Sequence, residues 1–257
     1  MHDLSQYART LGEQARDASR HLATTTGDAR NGWLGRMAEL LRTRGDELVS
    51  ANQHDLELAQ QHGLSDASID RLELNDERIS GMALALAEIA DLPDPIGEVI
   101  SSRDRPNGLT VQQVRVPLGV IFFIYESRPN VTVDAAALCV KGGNAVILRG
   151  GKEAINSNAA LAALVKDSLG AADVPREAVQ FIESTDRALV GRMLKMKETI
   201  DLIIPRGSQE LVRRVADEAA MPAITGGIGV CHLYVDGAAS VEMAGEIAYN
   251  AKVQRPS

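Results

Sequence analysis

The chain has 257 residues, with 27 Lys and Arg against 35 Asp and Glu for a formal charge of −8, and 45% of its residues are hydrophobic. That charge argues against nucleic-acid backbones and anionic membranes as partners, while local basic spots can still bind a phosphorylated small molecule. Aromatics make up only 3%, so the core of one large or two ordinary domains must be built from Ala, Val, Leu and Ile.

The opening stretch MHDLSQYARTLGEQ lacks the apolar core of a secretory signal, and no apolar run approaches the ~20 residues that a membrane span needs. Cys139 and Cys231 lie far apart without metal-ligand spacing, which fits a reducing compartment and predicts a cytoplasmic protein.

Leu4, Ala8, Leu11, Ala15, Ala18 and Leu22 recur at steps of three and four and predict one helix face. A second helical pattern covers Asp28 to Gln61, with a break near Gly45, and its apolar stripe starts with Trp33, Met37, Leu40 and Leu41. Shorter helices follow at Ser65–Leu72 and Asn75–Ala90, and Pro93 and Pro95 end the section. The charges Glu39, Arg42, Arg44, Asp46 and Glu47 read as a solvated face. Residues 1–95 are thus expected to form a helical layer without chemistry of its own.

From Ile96 the period changes. Ile96–Ser102 and Leu109–Val116 flank an Asn-Gly turn and predict a β-hairpin arm over 96–116. Beyond Pro117 strands alternate with helices: strand 119–125, helix 131–141, strand 145–148, helix 155–169, strand 178–183, helix 186–195, strand 200–204 and helix 208–219. A further strand, Cys231 to Val235, and a helix, Val241 to Ala251, close the chain. Such alternation predicts an α/β fold with a doubly wound, mostly parallel sheet over 117–257.

Two strand-to-helix exits carry glycine with basic or hydroxyl residues. One is Arg149-Gly150-Gly151-Lys152, and the other is Pro205-Arg206-Gly207-Ser208. Glycine admits a ligand to the backbone, and free N–H groups at a helix start attract an anion. Neither GxGxxG after a strand nor a P-loop is present, since Val146 stands where the P-loop glycine would be and Glu153 follows Lys152. There is no HExxH, the five histidines are scattered, and no metal site is expected. Cys139, within AALCVKGG, reads as a packed thiol. Cys231 follows Thr225-Gly-Gly-Ile-Gly229 and would be a nucleophile only if activated, which His232, on the opposite face of a strand, could not do.

RVPLGVIFFIYESRPNVTVDAAALCVKGGNAVILRGGKEAINSN, together with DLIIPRGSQELV, GVCHLYVD and NAKVQRP, resembles the gamma-glutamyl phosphate reductases (glutamate-5-semialdehyde dehydrogenases), a branch of the aldehyde dehydrogenase superfamily. The resemblance runs through the entire chain in order. It implies an aldehyde dehydrogenase-like cofactor domain and a step of proline biosynthesis: NADPH-dependent reduction of gamma-glutamyl phosphate to glutamate 5-semialdehyde through a cysteine thioester. Phosphate is a good leaving group, and a thioester carbonyl is a good hydride acceptor.

By resemblance, the loop Glu126–Asn130 takes the substrate and oxyanion side, with Glu126, Ser127 and Arg128 as substrate contacts and Asn130 as the oxyanion donor. Spacing also permits Arg128 as donor, or as a ligand of substrate carboxylate or phosphate. Arg149 to Lys152 replaces the superfamily's Lys-Pro-Ser-Glu at the adenosine ribose. Basic residues there, without that Glu, favour a 2′-phosphate and so NADPH over NADH. Gly207-Ser208 matches the superfamily's Gly-Ser facing the pyrophosphate, where most of this branch has Gly-Gly. Ile224-Thr225-Gly226-Gly227 stands for Glu-Leu-Gly-Gly, and loss of that glutamate suits a reductase that must keep water from its thioester.

In this branch the nucleophilic cysteine follows Gln-Arg-Pro within a few residues, but here Gln254-Arg255-Pro256 is followed only by Ser257. Cys231 matches a Gly-x-Cys-His position that is not the nucleophile. The 257 residues are therefore expected to be the N-terminal part of a longer enzyme, inactive alone, with hairpin and sheet edges deprived of partners. The alternative is a catalytically inert nucleotide-binding fragment or pseudoenzyme. The resemblance further implies a homo-oligomer and association with the proline-pathway glutamate kinase.

Overall fold

The computed structural model describes residues 3–226 and 230–254. Five helices come first. The first, α1 (Leu4–Leu22), is capped by the Asp3 side chain, which accepts from Ser5 N–H, and it buries the face that its spacing predicts. Next is α2 (Gly27–Thr43), capped by Thr26, which buries Trp33, Leu34, Met37 and Leu41. The expected break falls at Arg44, whose backbone leaves helical geometry, and α3 (Gly45–Gln61) starts afresh. Then come α4 (Asp66–Leu72) and α5 (Asp76–Asp91), the latter capped by Asn75. A side-chain N-cap such as those of Asp3, Thr26 and Asn75 contributes about 1 kcal/mol, so these starts are stabilised by the residues that precede them.

The hairpin pairs β1 (Val99–Asp104) with β2 (Thr110–Val114), antiparallel and joined only to each other. Gly108 turns the chain at φ +84°, a conformation that costs glycine little. Val99, Ile100, Leu109, Val111, Val114 and Val116 remain exposed along this arm.

The remainder is β3 (Val120–Tyr125), α6 (Asn130–Lys141), β4 (Ala145–Arg149), α7 (Ile155–Gly170), β5 (Val179–Phe181), α8 (Arg187–Met193), β6 (Leu202–Arg206), α9 (Gln209–Glu218) and α10 (Val241–Val253). The four strands form one parallel sheet in the order β5-β4-β3-β6. As its run of apolar residues predicts, β3 is buried almost throughout. The crossovers pack α6 against α7, backed by α2, α3 and α5, while α1 packs with α8. The chain leaves β3 toward one neighbour and returns as β6 on the other side. A crevice therefore opens between the carboxyl ends of β3 and β6, where ligands of open α/β sheets bind.

Three details fix the amino ends of these strands and the layer behind them. Arg16 of α1 holds the Asp201 carboxylate at 2.8 and 2.9 Å, and Val120 N–H donates to the same group at 2.7 Å. Asn144 accepts from the N–H groups of Leu118 and Gly119. Trp33, fully buried, donates its indole N–H to Ser168 at 2.8 Å and ties the helical layer to α7.

Three expectations need correction. The strand expected at 178–183 spans only Val179–Phe181, and β6 begins at Leu202 rather than 200. The strand expected at Cys231–Val235 does not form. Residues 230–235 are exposed and irregular, and beside β6 only Ala223 makes a bridge, to Ile203. β-Propensity alone cannot hold an extended segment without a neighbouring ladder. The argument that His232 faces away from Cys231 within a strand therefore falls. Gly227 to Gly229, in the glycine stretch, and Arg255 to Ser257, in the closing motif, lie outside the described residues.

Candidate active site at the carboxyl edge of the sheet

Tyr125, the last residue of β3, is buried, and its hydroxyl meets Thr132 Oγ1 at 2.7 Å. Thr132 in turn donates to Asn158 Oδ1 at 2.9 Å. This chain links the end of β3 to the first turns of α6 and α7 and fixes the spacing of the loops that leave β3 and β4. Burial pushes the Tyr125 phenol well above its ordinary pKa, so it stays protonated and serves as structure.

The two loops are also tied directly. Ser127 donates its hydroxyl to Glu153 Oε2 at 2.6 Å, and Arg128 N–H closes a turn on the Glu126 carbonyl at 2.8 Å. Both glycines of the β4 exit are required by close approach. A Cβ on Gly150 would lie 2.2 Å from Asn158 Nδ2, and one on Gly151 would lie 2.3 Å from Ser127 Oγ. Gly207 stands beside Glu126, 3.4 Å from its Cγ by the same measure, so the exits of β3 and β6 converge.

Glu126, Ser127 and Arg128 line a cavity of about 300 Å³ together with Glu153 and with Ser68 and Arg71 of α4. The helical layer thus contributes side chains to this edge. Asn130 starts α6, is exposed, and donates Nδ2 to Asp134 Oδ2 at 2.9 Å. Burial raises the Asp134 pKa, opposed by this hydrogen bond. Asp134 had no signal in the sequence, since it reads there as one polar residue on an apolar helix.

Arg149 is half-buried and reaches sideways, donating Nη2 to the Thr185 carbonyl at 3.4 Å. Burial, and then the charge of Arg187, holds its guanidinium below the ordinary arginine range, with Glu153 partly opposing. Lys152 is exposed and begins a short 3₁₀ turn, Lys152–Ala154, that leads into α7. Ser208 caps α9, accepting from Leu211 N–H at 3.3 Å.

The start of α7 is held from a distance. Asp55 of α3, buried with 1% exposure, accepts from Asn156 N–H and Nδ2 and from Ser157 N–H and Oγ at 2.6–3.1 Å. Asn52 braces the same point, donating to Ser157 Oγ and the Leu72 carbonyl and accepting from Leu74 N–H. Neither was marked by the sequence reading, because both look like ordinary polar residues of an amphipathic helix.

Each of the four strand exits carries an arginine: Arg128 after β3, Arg149 at the end of β4, Arg187 after β5, and Arg206 at the end of β6. Among the described residues none of the four is ion-paired within 4 Å, although the molecule is acidic overall and pairs arginines elsewhere. An acidic protein that carries unpaired arginines along the carboxyl edge of its sheet is suited to an anionic ligand there. Asn158 Nδ2, fully buried and without a hydrogen-bond partner, stands against Gly150 in the same region. A spare buried donor and unpaired cations beside glycine-bearing strand exits together fit a dinucleotide.

The cysteines differ sharply. Cys139 is buried and its thiol is pushed up to about 12 by desolvation, whereas Cys231 is exposed. Iodoacetamide is therefore expected to label Cys231 in the folded chain and to reach Cys139 only after unfolding. Mass spectrometry of labelled peptides checks this, and rapid native labelling of Cys139 would contradict it. Among the described residues no three His, Cys, Asp or Glu side chains gather as a metal site, and no helix is long and apolar enough to cross a membrane.

Comparison with known proteins places this architecture. The sequence profile of the aldehyde dehydrogenase family matches residues 5–252. A gamma-glutamyl phosphate reductase of Sulfurihydrogenibium sp. (strain YO3AOP1) is 50% identical over 99% of this chain and 57% of its own length. That of Clostridium tetani is 47% identical over 100% of this chain and 60% of its own. The crystal structure of gamma-glutamyl phosphate reductase from Thermotoga maritima superposes with a TM-score of 0.90 at 41% identity, covering 97% of this chain and 60% of that one. A probable aldehyde dehydrogenase from Listeria monocytogenes, 17% identical with a TM-score of 0.66 over 88% of this chain and 46% of its own, shares the fold. The chain spans about three fifths of the length of the curated relatives it matches. With its parallel sheet, glycine-lined strand exits and helical layer, the chain belongs to the aldehyde dehydrogenase family.

Proposed function

We propose that this chain is the cofactor-binding part of an enzyme that reduces gamma-glutamyl phosphate to glutamate 5-semialdehyde with NADPH and releases phosphate. The observation that carries the reading is the set of four arginines at the strand exits that, among the described residues, have no ion-pair partner, beside glycines packed closely by neighbouring side chains. The identity to curated reductases supports the choice of substrate.

In this reading Gly207 and Ser208 lie at the pyrophosphate, and Gly150 and Gly151 at the ribose beside Arg149 and Lys152. NADPH, once bound, supplies the hydride that reduces an enzyme thioester. The loop Glu126–Arg128, with Arg71 behind it, holds the charged ends of the substrate. Asn130 Nδ2 turns from Asp134 toward the carbonyl oxygen as negative charge develops there. A thiolate attacks the acyl carbon, the carbon–oxygen bond to phosphate breaks, and hydride addition followed by carbon–sulfur cleavage gives the aldehyde and restores the thiolate. Cys139 is too buried for that role, and Cys231 is not placed on the Glu126–Asn130 loop. In this reading the nucleophilic thiol is neither of these two cysteines. Val241, Met243, Ile247, Tyr249 and Val253 of α10 stand exposed as an apolar surface. The exposed apolar hairpin supports self-association of the whole enzyme.

The 257-residue chain is expected to bind NADPH without turning it over, as followed by nucleotide fluorescence and by loss of absorbance with gamma-glutamyl phosphate. Turnover that disappears in Cys231→Ala would sink the reading. Arg149→Ala and Lys152→Ala should each weaken NADPH several-fold more than NADH, and equal losses for both cofactors would reject the 2′-phosphate assignment.

A further inference from the structure

Arg187 is not marked by any sequence motif, yet the fold delivers it to the β4 exit. β4 and β5 are neighbours in register, with Leu148 opposite Phe181 and Ile182 N–H donating to the Leu148 carbonyl at 2.9 Å. Their exits are therefore adjacent. Arg149 leans across this boundary to the Thr185 carbonyl, two residues before Arg187 opens α8. Two guanidinium groups are so brought together with no carboxylate paired to either among the described residues.

The nearest acids are committed elsewhere. Asp186 accepts from Ala188 N–H at 2.8 Å as the cap of α8, and Glu153 accepts the Ser127 hydroxyl. The mutual repulsion of the two cations is already felt at Arg149, whose guanidinium is held below its ordinary range by burial and by Arg187. Like charges at one edge, only partly offset by Glu153, are stabilised by a dianion between them. Two planar donors, one at the end of β4 and one at the start of α8, suit the tetrahedral oxygens of a phosphate monoester better than one does.

We propose that Arg187 and Arg149 together form the clamp for the phosphate monoester on the adenosine ribose, so that Arg187 is a specificity-determining residue for NADPH. The inference rests on the NADPH reading above and adds to it a residue from a different loop. Lys152 then stands at the exposed rim, and Arg187 supplies the second contact from across the sheet.

The test uses the chain itself and two probes, 2′,5′-ADP and 5′-AMP, which differ only by the phosphate in question, titrated by calorimetry. The unsubstituted chain should prefer 2′,5′-ADP. Arg187→Ala should lose about tenfold or more toward 2′,5′-ADP and change less than about twofold toward 5′-AMP, as expected for one charge-assisted contact to phosphate. Arg187→Lys should recover part of that loss. Arg187 is exposed, so circular dichroism and the unfolding midpoint should stay unchanged. If the unsubstituted chain binds neither probe, or binds both equally, the NADPH reading itself fails. If it prefers 2′,5′-ADP and Arg187→Ala keeps that preference, or weakens both probes alike, the clamp is overturned while the cofactor reading stands.

Discussion

Asp55→Ala is expected to lower the unfolding free energy by about 3 kcal/mol, since buried donors to a charged acceptor cost roughly 1–3 kcal/mol each when left unpaired. The substitution orphans Ser157 N–H and Ser157 Oγ inside the protein, along with the more exposed donors of Asn156. It also removes a negative group from the start of α7, where the helix dipole favours one. Asp55→Asn keeps one carbonyl acceptor and should lose less. Urea unfolding followed by circular dichroism measures both, and a loss below about 1 kcal/mol for Asp55→Ala would show that the start of α7 is held by something else. Because the 3₁₀ turn at Lys152–Ala154 runs directly into α7, the same variant should weaken NADPH even where it remains folded.

Gly150→Ala is the second large effect. Its new methyl would stand 2.2 Å from Asn158 Nδ2 and 3.1 Å from the Tyr125 ring, both buried and both fixed through Thr132. Overpacking of this kind costs about 1–3 kcal/mol, and relief must come by moving the β4 exit. NADPH affinity should fall by about tenfold or more, on the scale of one such displacement at a positioned site. The double substitution Gly150→Ala with Asn158→Ala removes the atom that the methyl meets. It should therefore recover stability relative to the sum of the single changes, a coupling read by a double-mutant cycle. Strict additivity of the two changes would mean that the contact with Asn158 is not what excludes a side chain at position 150.

The three predictions that touch the cofactor, at Gly150, Asp55 and Arg187, probe different links. Gly150 tests shape, Asp55 tests the support beneath the loop, and Arg187 tests charge. Of these three, Arg187→Ala alone should separate nucleotides by their 2′-phosphate, as Arg149→Ala and Lys152→Ala also should, because a displaced loop weakens binding without regard to that group.

Much of the architecture is legible in the residues alone. The steps of three and four in α1 and the apolar run of β3 survive into the structure because each buries the face it displays, and the Asn-Gly turn of the hairpin survives because its backbone geometry is local. The glycine-rich exits at 149–152 and 207–208 are legible for the same reason, since a strand, a glycine and a helix start are consecutive in the chain. The strand expected at 231–235 was not decided locally: extended structure needs a neighbour, and the described residues give it none. Asp55 meets Ser157 across 102 residues of sequence, and Arg187 meets Arg149 only because β5 pairs with β4. The sequence by itself determined most of the helices and strands and which strand exits carry glycine. Only the tertiary structure decided which buried side chains support those exits and which charges converge on them, because hydrogen bonds and Coulomb interactions act over a few ångströms of space and take no account of distance along the chain.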